Sequence, residues 1–126
     1  EATTEHEYIF DKLNKSGIDA GLVLNMETPI DVARKFIDRV GGVMLMSIDA
    51  LGSYGAEFNP LVLEKIRDLR SLSASVKIGI DGGVNLRNAK DLLDAGADNL
   101  VVGSAILRSN DVGLAIKDFN AINHNG

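Results

Sequence analysis

The chain contains no cysteine, which excludes a disulfide scaffold, a zinc finger and a cysteine nucleophile together. Tryptophan is absent, and only two tyrosines and four phenylalanines are present. The two histidines, His6 and His124, lie in or near polar terminal segments without metal-ligand spacing between them, and both are expected to face solvent. No apolar run approaches the roughly 18 residues that a membrane span needs. No basic, apolar leader opens the chain. Positive charge is scarce: thirteen Lys and Arg stand against eighteen Asp and Glu, a dispersed net charge of −5. Neutralising phosphates of a nucleic acid takes clustered Lys and Arg, so neither a nucleic acid nor a membrane is an expected partner. A cytoplasmic domain is the expectation. The chain opens Glu1-Ala2-Thr3-Thr4 without methionine, as expected of a trimmed protein or a piece of a longer one.

The 126 residues, 45% hydrophobic and 25% charged, match an ordinary globular domain. A chain of this size buries roughly two-thirds of its unfolded surface, so one domain covering residues 1–126 is expected. Its punctuation is regular. A ragged helical period over 4–16 stops at Gly17, and Ala20–Asn25 reads as a short buried strand. Thr28-Pro29 has the form of a helix start, with Thr28 as N-cap, Pro29 in the first turn, and Val32, Phe36 and Val40 at fourth-residue spacing. Val43–Ile48 is apolar on both faces, as a strand covered by helices on both sides requires. After a loop from Asp49 to Phe58, Asn59-Pro60 repeats the cap-and-proline opening before a helix carrying Leu63, Ile66 and Leu69. Val76–Ile80 is a third strand, and Asn85 caps a helix with Leu86, Ala89, Leu92 and Leu93 as its stripe. Leu100–Val102 is a fourth strand, followed by an amphipathic stretch with Val112, Ala115, Ile116 and Phe119.

One helix followed by four strand–helix units means a parallel α/β layer with right-handed crossovers. Two architectures fit: a small open doubly wound sheet, or a section of a (β/α)8 barrel, whose full length is about 250 residues. The leading helix without its own strand favours the section, with Glu1-Ala2 expected as the end of a preceding strand.

In either fold, chemistry collects beyond the C-terminal strand ends. Asp81-Gly82-Gly83 follows the third strand at once. A carboxylate there suits metal binding or proton transfer, and two glycines let backbone N–H groups approach a ligand; the plainer reading is a turn. Gly103-Ser104 after the fourth strand offers N–H groups and a hydroxyl to an anion. Gly52-Ser53-Tyr54-Gly55 reads equally as a lid or a surface loop. Met44 and Met46 are expected in the core, with Met46 close enough to the strand end to floor a pocket. A phosphoacceptor receiver domain fits the length but not the residues. Its acidic pair after the first strand is replaced by Asn25-Met26, and no Lys follows the last strand.

The ordered series Ala20–Asn25, Glu27-Thr28-Pro29, Val43–Ile48, Phe58-Asn59-Pro60, Ile80–Asn85, Ala95–Asp98 and Val102–Ile106 resembles the C-terminal half of the ribulose-phosphate 3-epimerase family. The resemblance implies about strands five to eight of a TIM barrel with the preceding helix. It also implies an isomerase of the pentose phosphate pathway that inverts C3 of a ketopentose 5-phosphate. By resemblance, Asp81 is an acid/base group and a ligand of a divalent ion (Zn, Fe, Mn or Co). Gly82, Gly83, Gly103, Ser104 and Gly55 hold the substrate phosphate, and Met46 lines the pocket. The two histidines and second aspartate of the family's site belong to its N-terminal half, so this chain alone is expected to be inactive. The family's Asn-Pro-Gly-Phe-Gly-Gly loop is replaced by Asp49–Phe58, which raises a ketohexose 6-phosphate as another substrate. A non-catalytic phosphate-binding half-barrel is the remaining reading. Unpaired strand edges lead us to expect a homo-oligomer.

Overall fold

The computed structural model describes residues 2–17, 19–48 and 57–122. Helix α1 (Ala2–Lys15) leads into β1 (Gly21–Leu24), followed by α2 (Asp31–Arg34), β2 (Gly42–Met46), α3 (Val62–Leu72) and β3 (Lys77–Asp81). Helix α4 (Ala89–Ala95), β4 (Asn99–Val101), α5 (Ser104–Leu107) and α6 (Val112–Asn120) complete the order. The four strands form one parallel sheet in the order β1-β2-β3-β4. Each crossover therefore steps to the next neighbour in the same direction, and the order never reverses as it does in a doubly wound sheet.

Strand parity shows which face the helices cover. Leu24, Leu45, Ile80 and Leu100 stand in register across the sheet, as do Leu22, Val43 and Ile78. This face packs against Ala33, Val62, Ile66, Leu69, Ala89 and Leu92 to form the core. The intervening residues point the other way, because side chains alternate along a strand. That opposite face carries Val23, Met44, Gly79 and Asn99 in one row and Met46, Asp81 and Val101 in the next. Val23 is 62% exposed and Val101 43%. The expectation that β2 is buried on both faces is thus corrected: only one of its faces meets helices. A parallel sheet with sequential order and helices on one side is a partial β/α barrel, and its bare face is the barrel interior.

Other expectations are also revised. Thr28 does not cap a helix: the chain turns there, with the Thr28 N–H donating to the Asn25 carbonyl. Helix α2 starts only at Asp31, and residues 35–39 continue as tighter turns in which Phe36 N–H bonds Ala33 and Arg39 N–H bonds Phe36. That shift leaves Val32 exposed, while Phe36 is buried as expected, with Ala33 and Ile37 beside it. Ala2 begins α1 rather than ending a strand, and among the described residues no strand pairs with the outer edge of β1. Leu86, Val112 and Ile116 remain exposed. For α6 the cause is that, among the described residues, no strand lies beyond β4 for its apolar face to cover.

The N-terminal ends of β3 and β4 are closed by Arg70. Its guanidinium donates to the carbonyls of Val76 at 2.7 Å and Gly96 at 2.6 Å and to Asp98 Oδ2 at 2.9 Å. Asp98 Oδ2 also accepts the Ile78 N–H at 2.9 Å. Burial alone raises the Asp98 pKa, but this backbone bond, the Arg70 bond and the charges of Arg70 and Lys77 together hold it below the ordinary value. These bonds tie the N-terminal end of the sheet together.

Candidate functional site

At the C-terminal end of the sheet, Asp81 is the last residue of β3 and stands in register between Met46 and Val101 on the bare face. The apolar run before it extends the strand to this point, and the following glycines end it. Gly82 and Gly83 adopt φ of +123° and +68°, conformations that L side chains rarely take. The turn is packed against the ends of the β2–α3 connection. A Cβ on Gly83 would lie 2.9 Å from the Phe58 backbone N and Cβ. Ile48 and Phe58 form an antiparallel bridge at that contact.

Every carbonyl of the turn is engaged. The Ser47 N–H donates to the Asp81 carbonyl at 2.8 Å, the Ser47 hydroxyl donates to Gly82, and Asn88 Nδ2 donates to Gly83 at 3.0 Å. Asn85 does not cap helix α4 itself, which starts only at Ala89, but the turn before it: its Oδ1 accepts the N–H groups of Arg87 and Asn88, while Asn88 Oδ1 accepts the Asn85 N–H in return. The N–H groups of Gly83 and Val84 find no acceptor among the described residues.

Those two residues line an open cleft of about 560 Å³ together with Asn85, Arg87, Ser104 and Ala105. The structure thus brings Gly83 and Ser104 to one cleft, with Gly82 and Gly103 next to them in the chain. Asp81 and Met46 do not line this cleft; they occupy the adjoining end of the bare sheet face. Gly55 and the 52–55 segment lie outside the described residues, as do the His6 side chain and His124.

The C-terminal end of β1 is held by Lys65, whose ammonium donates to the carbonyls of Asn25 at 2.7 Å, Met26 at 2.8 Å and Thr28 at 2.7 Å. Burial lowers the Lys65 pKa, opposed by the charge of Glu27. Sequence reading missed the roles of Ser47, Lys65 and Asn88. A hydroxyl ending an otherwise apolar run at Ser47, and a second Asn three residues after Asn85, were the available signals.

A divalent ion is not accommodated by these residues alone. Asp81 is a single carboxylate, no group of three His, Cys, Asp or Glu converges among the described residues, and a catalytic ion needs several protein ligands.

A model of the "Ribulose-phosphate 3 epimerase family" matches residues 1–107. The chain belongs to the ribulose-phosphate 3-epimerase family. It is 31% identical over 109 residues to the ribulose-phosphate 3-epimerase of Schizosaccharomyces pombe, covering 86% of this chain and 47% of that protein. It is 33% identical over 126 residues to the enzyme of the same name from Buchnera aphidicola, covering 97% and 55%. The chain therefore spans about half the length of the curated relatives it matches. Among solved structures, 3-hexulose-6-phosphate synthase from Salmonella typhimurium superposes with a TM-score of 0.65 at 15% identity, covering 95% of this chain and 56% of that one. At that identity the likeness concerns the fold, and it agrees with a partial β/α barrel. No helix among the described residues is long and apolar enough to cross a membrane.

Proposed function

We propose that this chain is the C-terminal half, about strands five to eight, of a barrel that epimerises a ketopentose 5-phosphate at C3. The observation that carries the reading is the placement of Asp81. It stands on the bare face at the C-terminal end of β3, one and two residues before the glycines that lead into the cleft shared with Ser104. In this reading the sugar phosphate lies at Gly82, Gly83, Gly103 and Ser104, with Gly55 contributing from the preceding loop, and backbone N–H groups meet its oxygens. Met46, in register with Asp81, lines the floor beside the sugar carbons.

Asp81 then exchanges the proton at C3. Removal leaves charge delocalised over C3, C2 and the C2 oxygen; return of a proton to the other face inverts C3. A positioned carboxylate contributes about 10²–10⁴-fold to such a step. The second acid/base group, and ligands to accompany Asp81 on a divalent ion, come from outside the described residues. The family membership supports an epimerase, and the altered Asp49–Phe58 segment favours a ketohexose 6-phosphate as the competing substrate.

The test joins this chain to the first half of the Buchnera aphidicola relative and assays both sugar phosphates, with the 126-residue chain assayed alone. Turnover is expected from the joined protein only, with kcat reduced about 10²–10⁴-fold by Asp81→Asn. Epimerisation by the isolated chain, or full activity in Asp81→Asn, refutes the assignment.

A further inference from the structure

We propose that Ser47 is a positioning residue that aims the Gly83 N–H into the cleft, with Asn88 doing the same for Val84. Among the described residues, Ser47 is the one fully buried polar side chain. Its three polar groups are all used: the N–H on the Asp81 carbonyl, the hydroxyl on the Gly82 carbonyl, and its own carbonyl on the Asn59 N–H at 2.7 Å.

The consequence follows from peptide geometry. The C=O of Gly82 and the N–H of Gly83 belong to one planar trans unit and point in opposite directions. A hydroxyl that draws the Gly82 carbonyl inward therefore turns the Gly83 N–H outward, toward the cleft that Gly83 lines. Asn88 draws the Gly83 carbonyl and so sets the next peptide, whose N–H is that of Val84. Both N–H groups lack an acceptor among the described residues. The tethers are needed because two consecutive glycines with positive φ have wide conformational freedom. Packing of Ile48 and Phe58 limits where the turn sits, and the two hydrogen bonds orient its peptide planes.

The ligand part of this inference rests on the phosphate reading of the cleft; the ordering part does not. Two measurements on the 126-residue chain separate them: the 15N order parameter of Gly83, and inorganic phosphate titrated against the Gly83 and Val84 amide shifts. In Ser47→Ala the order parameter is expected to fall from a rigid value of about 0.85 to below about 0.6. The phosphate dissociation constant is expected to rise about tenfold, the loss of roughly one well-aimed hydrogen bond. Ser47→Cys, with its weak S–H donor, recovers part of both. Val43→Ala, a core change on β2, the strand that leads into Ser47, touches none of these bonds, lowers stability and moves neither. Asn88→Ala, at a half-buried position, weakens phosphate binding even if Ser47→Ala does not fold. Overlapping behaviour of Ser47→Ala and Val43→Ala overturns the proposal. A native chain without phosphate-dependent shifts overturns the cleft reading, and the order parameters alone then decide the role of Ser47.

Discussion

Gly17 and Gly83 provide a matched pair for separating backbone strain from steric exclusion. Their φ angles, +76° and +68°, are nearly the same. A Cβ at Gly17 meets nothing within 4 Å among the described residues, whereas one at Gly83 lies 2.9 Å from both Phe58 N and Cβ and 3.0 Å from its Cα. Alanine in a left-handed conformation costs about 1–2 kcal/mol. Its smaller unfolded-state entropy returns about 0.4–1 kcal/mol. Gly17→Ala should therefore cost about 1 kcal/mol. Gly83→Ala carries the same terms plus overpacking of about 1–3 kcal/mol. Backbone atoms of Phe58 cannot swing aside as a flexible side-chain tip would, so the total should be about 3 kcal/mol. That is a large share of the roughly 5–15 kcal/mol that holds a domain together. Urea unfolding of the two variants reads the difference directly, as a shift in midpoint at constant slope. Equal costs for the two substitutions would refute the packing of Phe58 against the turn.

Asp98→Asn should destabilise the chain by about 1 kcal/mol at pH 7, the loss of charge-assisted bonds discounted for partial exposure. The Asp98 pKa is held below its ordinary value. Its stabilisation is therefore present above the unfolded value of about 3.9 and is lost as pH falls through the lower folded one. The stability gap between the native chain and the Asp98→Asn variant should close below about pH 4. Thermal unfolding that shows a constant gap down to about pH 3 contradicts the Arg70–Asp98 account. The free edges β1 and β4 carry no proline or charged residue, so the isolated chain should self-associate as concentration rises. Light scattering that reports a monomer across a roughly hundredfold concentration range would count against it.

The sequence by itself determined the element order, the parallel direction of the strands and the residues that stand at the strand ends. These depend on local rules: glycine and asparagine at turns, apolar runs of strand length between amphipathic stretches, and the asymmetry of helix starts and stops. Asp81, Gly83 and Ser104 were legible for that reason, each being the residue at or just past the end of an apolar run. Tertiary structure alone decided which face of the sheet is bare. The run Val43–Ile48 is apolar throughout, and only registry with β1 and β3 sends Met44 and Met46 to the open side. It also decided how the site is held. Ser47 reaches Gly82 across 35 positions, Lys65 reaches Asn25 across 40 and Arg70 reaches Asp98 across 28. No local pattern encodes such bonds, because they exist only once the crossovers have brought distant strand ends side by side.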